Sequence, residues 1–254
     1  WKRIRMIRAL LLRRVWLWKN RLMPSMIFIF ILPIILFIII STSLGNIIVN
    51  SLTSIPFNKW FIPGILFIIG SISIFPPLFR DFYILRIDRK MLTHISMAPF
   101  SKKKIILSYL MLSVFEALII IFINAIIFAF FLEFNFSFSE YLMIIIQLSI
   151  YLLILGNAIV TCSLLIDSIT LFASISLYLF SIIFFGSGFI IELGLFPYKI
   201  FTILSIQPFS IPFQVLQLFL EKHMVDWDKI IILLFLFGFW LIMNSILLRK
   251  KLNQ

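Results

Sequence analysis

Residues 141–166 read YLMIIIQLSIYLLILGNAIVTCSLLI and contain no charged side chain. A helix needs about 20 predominantly apolar residues to cross the hydrocarbon core of a bilayer. This run is long enough to cross, and it is too long for a typical core helix of a soluble domain. It therefore predicts a transmembrane helix.

Five further apolar runs have a similar length and composition. They cover residues 23–44, 59–79, 105–132, 169–191 and 229–248. The whole chain is 63% apolar and 13% charged, whereas a soluble domain is roughly half apolar and about a quarter charged. The 254 residues therefore predict an all-α membrane protein, a single transmembrane domain of six helices.

The basic residues divide unequally between the two sides that six spans create. Of the 22 Lys and Arg residues, eight lie in 1–22, seven in 80–104 and three at the C-terminal end, all on one side. Because basic loops stay in the cytoplasm, both termini are expected there, in a multi-pass protein of the cell membrane. The net charge of +12 then reflects topology and attraction to anionic membrane lipids rather than nucleic-acid binding.

Residues 1–22 are amphipathic rather than apolar throughout. On a helix they form one uncharged stripe, and all eight basic side chains lie away from it. The stripe consists of Ile4, Ile7, Leu11, Val15, Trp18 and Leu22. This pattern is typical of an interfacial helix lying flat in the headgroup layer, either as an anchor or as a carrier of force into the first span.

Two connections are longer than a turn requires. Residues 192–228 are apolar but interrupted by Gly and Pro, which predicts an external re-entrant segment of short helices; a loop on the lipid surface is the alternative. Residues 86–101 lie in the cytoplasmic connection, where Pro99 would end a short helix. That helix suits the docking of a cytoplasmic protein, and a plain basic connector is the alternative.

Polar residues within the apolar runs are few. Glu116 lies inside the third run, where it lines a substrate pathway, makes a structural hydrogen bond or sits near the interface. For Asn124, Gln147 and Asn157 a structural role is expected. The single cysteine and two well-separated histidines predict no metal site.

Four features of the chain occur together in one known family. The first is the basic amphipathic helix before the first span, and the second is FIPGIL at 61–66, similar to F-x-x-P-G-L-L. The third is LTHISMAPFSK at 92–102, similar to L-E-x-L-L-x-T-P-x-S-R. The fourth is 186–217, similar to F-x-G-x-x-F-P-(x)n-P…N-P-L-T-Y, with QPFS at 207–210 in the N-P-L-T place. Over essentially its whole length the chain resembles the permease subunit of type-2 ABC exporters, which export polysaccharides, lipid-linked glycans, drugs and antibiotics.

The chain departs from the family pattern at two positions. It has Thr93 where the family usually has an acidic residue, and Lys90 where the family often has Gly.

The resemblance implies a transport subunit rather than an enzyme. Two permeases would form a homodimer around the substrate pathway, and two copies of a separate P-loop ATPase would bind beneath them with ATP and Mg²⁺. This chain has no G-x-x-x-x-G-K motif, so no cofactor and no catalytic residue is expected in it. The alternatives are an ATP-independent secondary carrier or channel, and a membrane scaffold or enzyme without transport.

The resemblance also assigns site residues. The coupling helix within 86–101 would contact the ATPase through Leu92, Thr93, His94, Ile95, Ser96, Met97 and Pro99. The substrate pathway or gate would contain Phe61, Pro63, Gly64, Glu116, Gly186, Gly188 and Pro208.

Overall fold

Helices account for the regular structure of the described part of the chain. The computed structural model describes residues 2–19, 30–31, 33–35, 37–39, 56–87, 90, 92, 101–131 and 136–252. Within these ranges there is no β-strand, so the all-α prediction is confirmed for the described part of the chain. The helices are α1 (Lys2–Lys19), α2 (Phe57–Leu78), α3 (Lys102–Phe131), α4 (Phe138–Leu165), α5 (Ile169–Gly186), α6 (Tyr198–Ile206), α7 (Ile211–Lys222) and α8 (Trp227–Leu252).

Five of these helices are long and apolar enough to cross a membrane. They are α2 with its continuation to Ile87, α3, α4, α5 and α8. The pair α6 and α7 is bent by 103° and would add a sixth span if the pair crosses as one. Of the predicted first span, 23–44, only residues 30–31, 33–35 and 37–39 are described, and these are helical. The architecture is compatible with a multi-pass membrane protein.

The second span continues past its predicted end at residue 79. Pro76 and Pro77 lie inside α2 and do not end it. The chain instead widens into a π-helix, Phe79–Ile84, followed by one α-helical turn, Leu85–Ile87. Because proline lacks an N–H, two consecutive prolines remove two bonds of the α-helical ladder, and a local change of helix type is a known response.

Successive spans run in opposite directions, so their ends gather at two poles. At the basic end α2 finishes, α3 begins, α4 meets α5 and α8 finishes; Tyr83, Arg86 and Lys251 meet Asp167 there. At the opposite end α2 and α4 begin, and Lys59 meets Glu140.

α2 and α4 form the centre of the bundle. Their most apolar windows are 83% and 78% buried, whereas those of α5 and α8 are 22% buried. α5 and α8 therefore present most of their apolar side chains to the surroundings, as spans at the periphery of a bundle do in lipid.

Candidate functional site

A cluster of buried charges joins α1 to the spans at the basic end. Asp81, in the π-helical segment, is completely buried and pairs with Arg14 of α1. The same guanidinium lies 3.0 Å from the carboxylate of Glu116 on α3 and donates a 3.0 Å hydrogen bond to Ser113 Oγ. Arg13 and Arg80 each lie 3.5 Å from the Asp81 carboxylate. We call Arg13, Arg14, Arg80, Asp81 and Glu116 the charge junction.

The charge junction stabilises one arrangement of α1, α2 and α3. Taking charges out of water is costly, so a buried ion requires both a partner of opposite sign and further hydrogen bonds. The Asp81–Arg14 pair has both, since Arg14 Nη2 also donates to Ser113 and the Glu116 carboxylate lies 3.0 Å from Nη1. Removing Arg14 or Asp81 would leave the other buried charge without its main partner, which costs about 3–5 kcal/mol.

The face of α1 that packs on the other helices carries Arg14, whereas its apolar stripe stays accessible at the residues described. Arg14, which lies away from the stripe, is 6% exposed, whereas the stripe residues Leu11 and Val15 are 39% and 64% exposed. Leu10 packs against the core, one helical turn from Arg14. Ile4, Ile7 and Trp18 belong to α1, but their side chains lie outside the described residues, as does Leu22 altogether.

A second group of ionic contacts links the helices at the basic end. Arg86 donates a hydrogen bond to the Asp167 carboxylate and another to the carbonyl of Ile166, 2.6 Å away. Lys251, near the end of α8, lies 3.3 Å from the same carboxylate. The Arg86 guanidinium, together with Lys251, holds the pKa of Asp167 below its ordinary value. We call this group the Asp167 clasp, and it links α2, the α4–α5 turn and α8.

The predicted coupling residues, 92–97 and 99, follow Arg86 in the sequence. Leu92 is described and is 1% exposed, packed within the apolar core of this chain. Thr93, His94, Ile95, Ser96, Met97 and Pro99 lie outside the described residues. Lys90 adopts the left-handed backbone region, with φ of 49°. That region favours glycine.

Three of the predicted gate residues, Gly64, Gly186 and Gly188, lie at one loop at the opposite end. Gly64 lies so close to Phe189 that a Cβ on this glycine would sit 2.3 Å from the Phe189 carbonyl oxygen. The Phe189 ring packs among Phe67, Tyr151 and Phe213, with centroids 5.1–5.5 Å away. The missing side chain at Gly64 is thus what allows the loop after α5 to rest on α2.

The same loop is held from its other side by the turn between α6 and α7. Gln207 donates a 2.6 Å hydrogen bond to the carbonyl of Gly186 and a 3.2 Å bond to Ser187 Oγ. Gly188 has φ of +87°, a conformation that glycine adopts without strain. The loop 186–189 therefore lies between α2 and the bent pair α6–α7.

The remaining predicted gate residues occupy different places. Phe61 is fully buried and stacks on Phe57, with ring centroids 4.9 Å apart. Pro63 lies inside α2, and Pro208 lies in the α6–α7 turn. Glu116 is separate from all of these, because it belongs to the charge junction near the basic end. The assignment of these residues to a substrate pathway stays a prediction.

Several polar side chains inside the spans form hydrogen bonds with a neighbouring span or with the backbone of their own helix. Asn244 of α8 donates two 3.1 Å hydrogen bonds to Asn157 of α4 and accepts one of 2.7 Å from Thr161. Trp240 completes the group by donating to Thr161 Oγ1 at 2.8 Å. Asn124 donates to the carbonyl one turn earlier in its own helix, that of Ile120. The bonds between α4 and α8 are of the kind that fasten helices together in lipid.

The structure identifies residues of the candidate site that the sequence analysis did not single out. Arg14 and Asp81 form the centre of the charge junction, and Phe189 forms the contact with Gly64. Asp81 carried a weak signal, because it is an acidic residue at the apolar end of a strongly basic connection. Phe189 carried none, since it is one of 31 phenylalanines.

No group of three or more His, Cys, Asp or Glu side chains suited to a metal ion occurs in the described ranges. Comparisons of the chain with protein-family models, with curated proteins and with solved structures found no match.

Proposed function

We propose that this chain is the transmembrane subunit of an ATP-driven exporter in the cell membrane, with both termini cytoplasmic. A homodimer would enclose the substrate pathway, and two copies of a separate P-loop ATPase would supply hydrolysis with ATP and Mg²⁺. The observation that carries the proposal is the charge junction, because it fastens α1 to α2 close to the 88–101 connection. That connection contains the coupling helix implied by the resemblance.

A push on this connection would reach several helices at once. The segment Leu85–Ile87 leads from the connection back to the π-helix that contains Asp81. Asp81 contacts α1, and through Arg14 it is linked to α3. Arg86 contacts the α4–α5 turn and, through Asp167, the end of α8. Force applied by a cytoplasmic partner would therefore be shared among the spans, as an ATP-driven transporter requires.

The opposite end of α2 supports the same proposal. There the 186–189 loop rests on Gly64 and is bonded to the turn of the bent pair α6–α7. A re-entrant pair of this kind would cap the pathway on the far side, and movement of α2 would be passed to it by direct contact. Non-spanning backbone at membrane depth is tolerated only where protein or a water-filled cavity shelters it.

The first test is to purify the tagged chain from its native membrane in mild detergent and to identify the proteins that accompany it. The proposal expects a P-loop ATPase in equal amounts, with hydrolysis that depends on this chain. A chain that purifies alone and moves solute down an ion gradient would instead establish the alternative, an ATP-independent carrier or channel.

A substitution tests the assigned docking helix. Ile95→Asp is expected to abolish assembly with the ATPase while leaving membrane insertion intact, which co-purification and membrane fractionation would measure. Leu92→Asp is unsuitable, because burial of Leu92 makes it a test of folding. Ile200→Asp on α6 is the control, since Ile200 is 45% exposed at the opposite end. Survival of the complex in the Ile95 variant would show that docking lies elsewhere.

A further inference from the structure

The charge junction contains more positive than negative charge. The three guanidiniums of Arg13, Arg14 and Arg80 meet only two carboxylates, those of Asp81 and Glu116. Arg14 lies closest to Asp81 and also contacts Glu116. Arg13 and Arg80 both lie 3.5 Å from one oxygen, Oδ1 of Asp81. One positive charge of the junction therefore stays in excess, in a place where taking an ion out of water is costly.

Arg80 has a buried donor without an acceptor. Its Nη2 atom is buried and makes no hydrogen bond with the described residues. Its Nε atom lies 3.5 Å from Asp81 Oδ1, which is longer than an ordinary N–H···O bond. A guanidinium can only donate, and buried polar groups nearly always have a partner. Because the Arg80 side chain is 23% exposed, an acceptor can reach it from outside the chain.

The chain has little negative charge left to supply that acceptor. The segments at the basic end contain 18 of the 22 Lys and Arg residues, and their acidic residues are Asp81, Asp88, Glu116 and Asp167. Asp167 already belongs to the Asp167 clasp. Outside the described ranges the sequence has two acidic residues, Asp88 and Glu133, and Glu133 follows α3 at the opposite end. Asp88 is thus the one side chain to test as an internal acceptor, and two basic residues follow it directly.

Arg80 lies at the depth of lipid phosphates. It follows Lys59 by 21 residues, which is about 30 Å along a helix that rises 1.5 Å per residue. The hydrocarbon core of a bilayer is also about 30 Å thick. Lys59 and its partner Glu140 mark the opposite end of the bundle. With Lys59 at one boundary of the core, Arg80 stands at the other, beside the headgroups of the leaflet at the basic end.

We infer that Arg80 binds the phosphate of an anionic membrane lipid from this leaflet, with Arg13 as the second cation. A phosphate supplies both the missing acceptor and the missing negative charge, and its geometry matches the planar donors of arginine. The Arg13 side chain is 35% exposed, so the same phosphate can reach it. Basic sites between helices at a membrane surface bind anionic headgroups. The inference rests on the charge junction and does not require the exporter function.

Lipid binding to the purified full-length chain tests this site. The protein in a neutral detergent is titrated with phosphatidylglycerol, with phosphatidylcholine or with inorganic phosphate. Native mass spectrometry counts the bound lipid molecules, and thermal unfolding measures the stabilisation. Phosphatidylglycerol is expected to bind more tightly than phosphatidylcholine, whose headgroup brings its own cation. Inorganic phosphate is expected to stabilise the protein less at equal concentration, because it lacks the acyl chains that hold a lipid at this depth.

Matched variants separate the site from general attraction to a basic surface. Arg80→Gln is expected to weaken phosphatidylglycerol binding about tenfold, through the loss of a charged hydrogen bond. Arg249→Gln is the control, because it removes the same charge at the same end from an exposed residue of α8, and it should have a much smaller effect. Arg80→Lys keeps the charge without the planar donors and should lose part of the binding.

The melting temperature without lipid shows whether Arg80 has only a structural role. Arg80→Gln removes the excess positive charge of the junction, so the lipid-free variant should melt no lower than the wild type. A variant that melts normally but no longer gains stability from phosphatidylglycerol has lost a binding residue. Arg13→Gln repeats the binding measurement at the second cation, where a smaller loss is expected.

Four results would overturn the inference. Equal binding to the Arg80→Gln and Arg249→Gln variants would mean that lipid is attracted to the basic end in general. Stabilisation by inorganic phosphate as strong as that by phosphatidylglycerol would mean that a soluble anion fills the site. A lower melting temperature of lipid-free Arg80→Gln would make Arg80 a structural partner of Asp81. Lipid binding that depends on Arg80 only in an Asp88→Asn background would mean that Asp88 occupies the site.

Discussion

The two ends of α2 are held by opposite kinds of contact. At the basic end Asp81 lies among arginines, with the carboxylate of Glu116 beyond them. At the opposite end Gly64 touches the backbone of Phe189, and the neighbouring contacts are aromatic rings. A cluster of buried charges holds the first end, whereas close fit at Gly64 holds the second together with the Lys59–Glu140 ion pair.

This difference has a mechanical meaning. Electrostatic attraction falls off slowly with distance, so an ionic contact keeps its partners attached when they shift slightly. Close-packed contacts lose much of their energy when a gap of an ångström opens, so they transmit displacement rather than absorb it. If the basic end receives a cytoplasmic partner, α2 would adjust there and carry the motion rigidly to the 186–189 loop.

The largest expected effect is the loss of the buried carboxylate. Asp81→Asn keeps the shape of the side chain but leaves Arg14 without its main partner, so a loss of about 3–5 kcal/mol in the free energy of unfolding is expected. Thermal unfolding in detergent micelles would measure it. Asp226→Asn is the control, because Asp226 pairs with Lys229 at the protein surface and should contribute about 1 kcal/mol or less. Equal losses in the two variants would contradict an ionic role at the basic end.

The contact at the opposite end is tested by adding one methyl group. Gly64→Ala would place a Cβ 2.3 Å from a backbone oxygen, and overpacking of this kind costs about 1–3 kcal/mol. Gly238→Ala is the matched control in α8, where no atom lies within 4 Å of the added Cβ. The control should stabilise the protein by up to about 1 kcal/mol through helix propensity. If Gly64→Ala also stabilises it, the loop does not rest on α2.

A smaller effect is expected from the one polar contact inside the aromatic cluster. The hydroxyls of Ser71 and Tyr151 lie 2.6 Å apart, and Ser71 also donates to the carbonyl of Phe67. Tyr151→Phe should cost about 1 kcal/mol. In a double-mutant cycle with Ser71→Ala, the coupling between the two sites should be about 0.5–1.5 kcal/mol. A coupling of zero would mean that the contact between the two hydroxyls adds nothing to the packing of this cluster.

The smallest expected effect concerns pH at the basic end. The pKa of Asp167 lies below its ordinary value of 3.8 because of Arg86 and Lys251, so the charged form stabilises the fold. This contribution is complete at neutral pH and is lost as pH falls through the lowered pKa. The difference in melting temperature between wild type and Asp167→Asn should therefore shrink in acid. The difference in melting temperature is small even at neutral pH, since the Asp167 side chain is 61% exposed. A difference that is constant with pH would contradict the assignment.

The helices themselves were largely predictable, and the contacts between them were not. The run 141–166 predicts a span, and α4 occupies Phe138–Leu165. The apolar stripe of 1–22 predicts a helix there, but it does not predict that Arg14 is buried. Among the gate residues, the sequence drew attention to Gly64 and Gly188 without indicating Phe189, the residue that brings Gly64 into contact with the loop.

The sequence by itself determined that the chain is helical and where its long apolar helices lie. In hydrocarbon a segment must satisfy its own backbone hydrogen bonds, and bilayer thickness sets its length, so composition alone specifies both. Tertiary structure alone decided which residues meet. Arg14 and Asp81 are 67 positions apart in the chain, and their contact depends on how α1 and α2 are rotated and crossed. Packing of complete side-chain surfaces sets those angles, and no local pattern of residues encodes them.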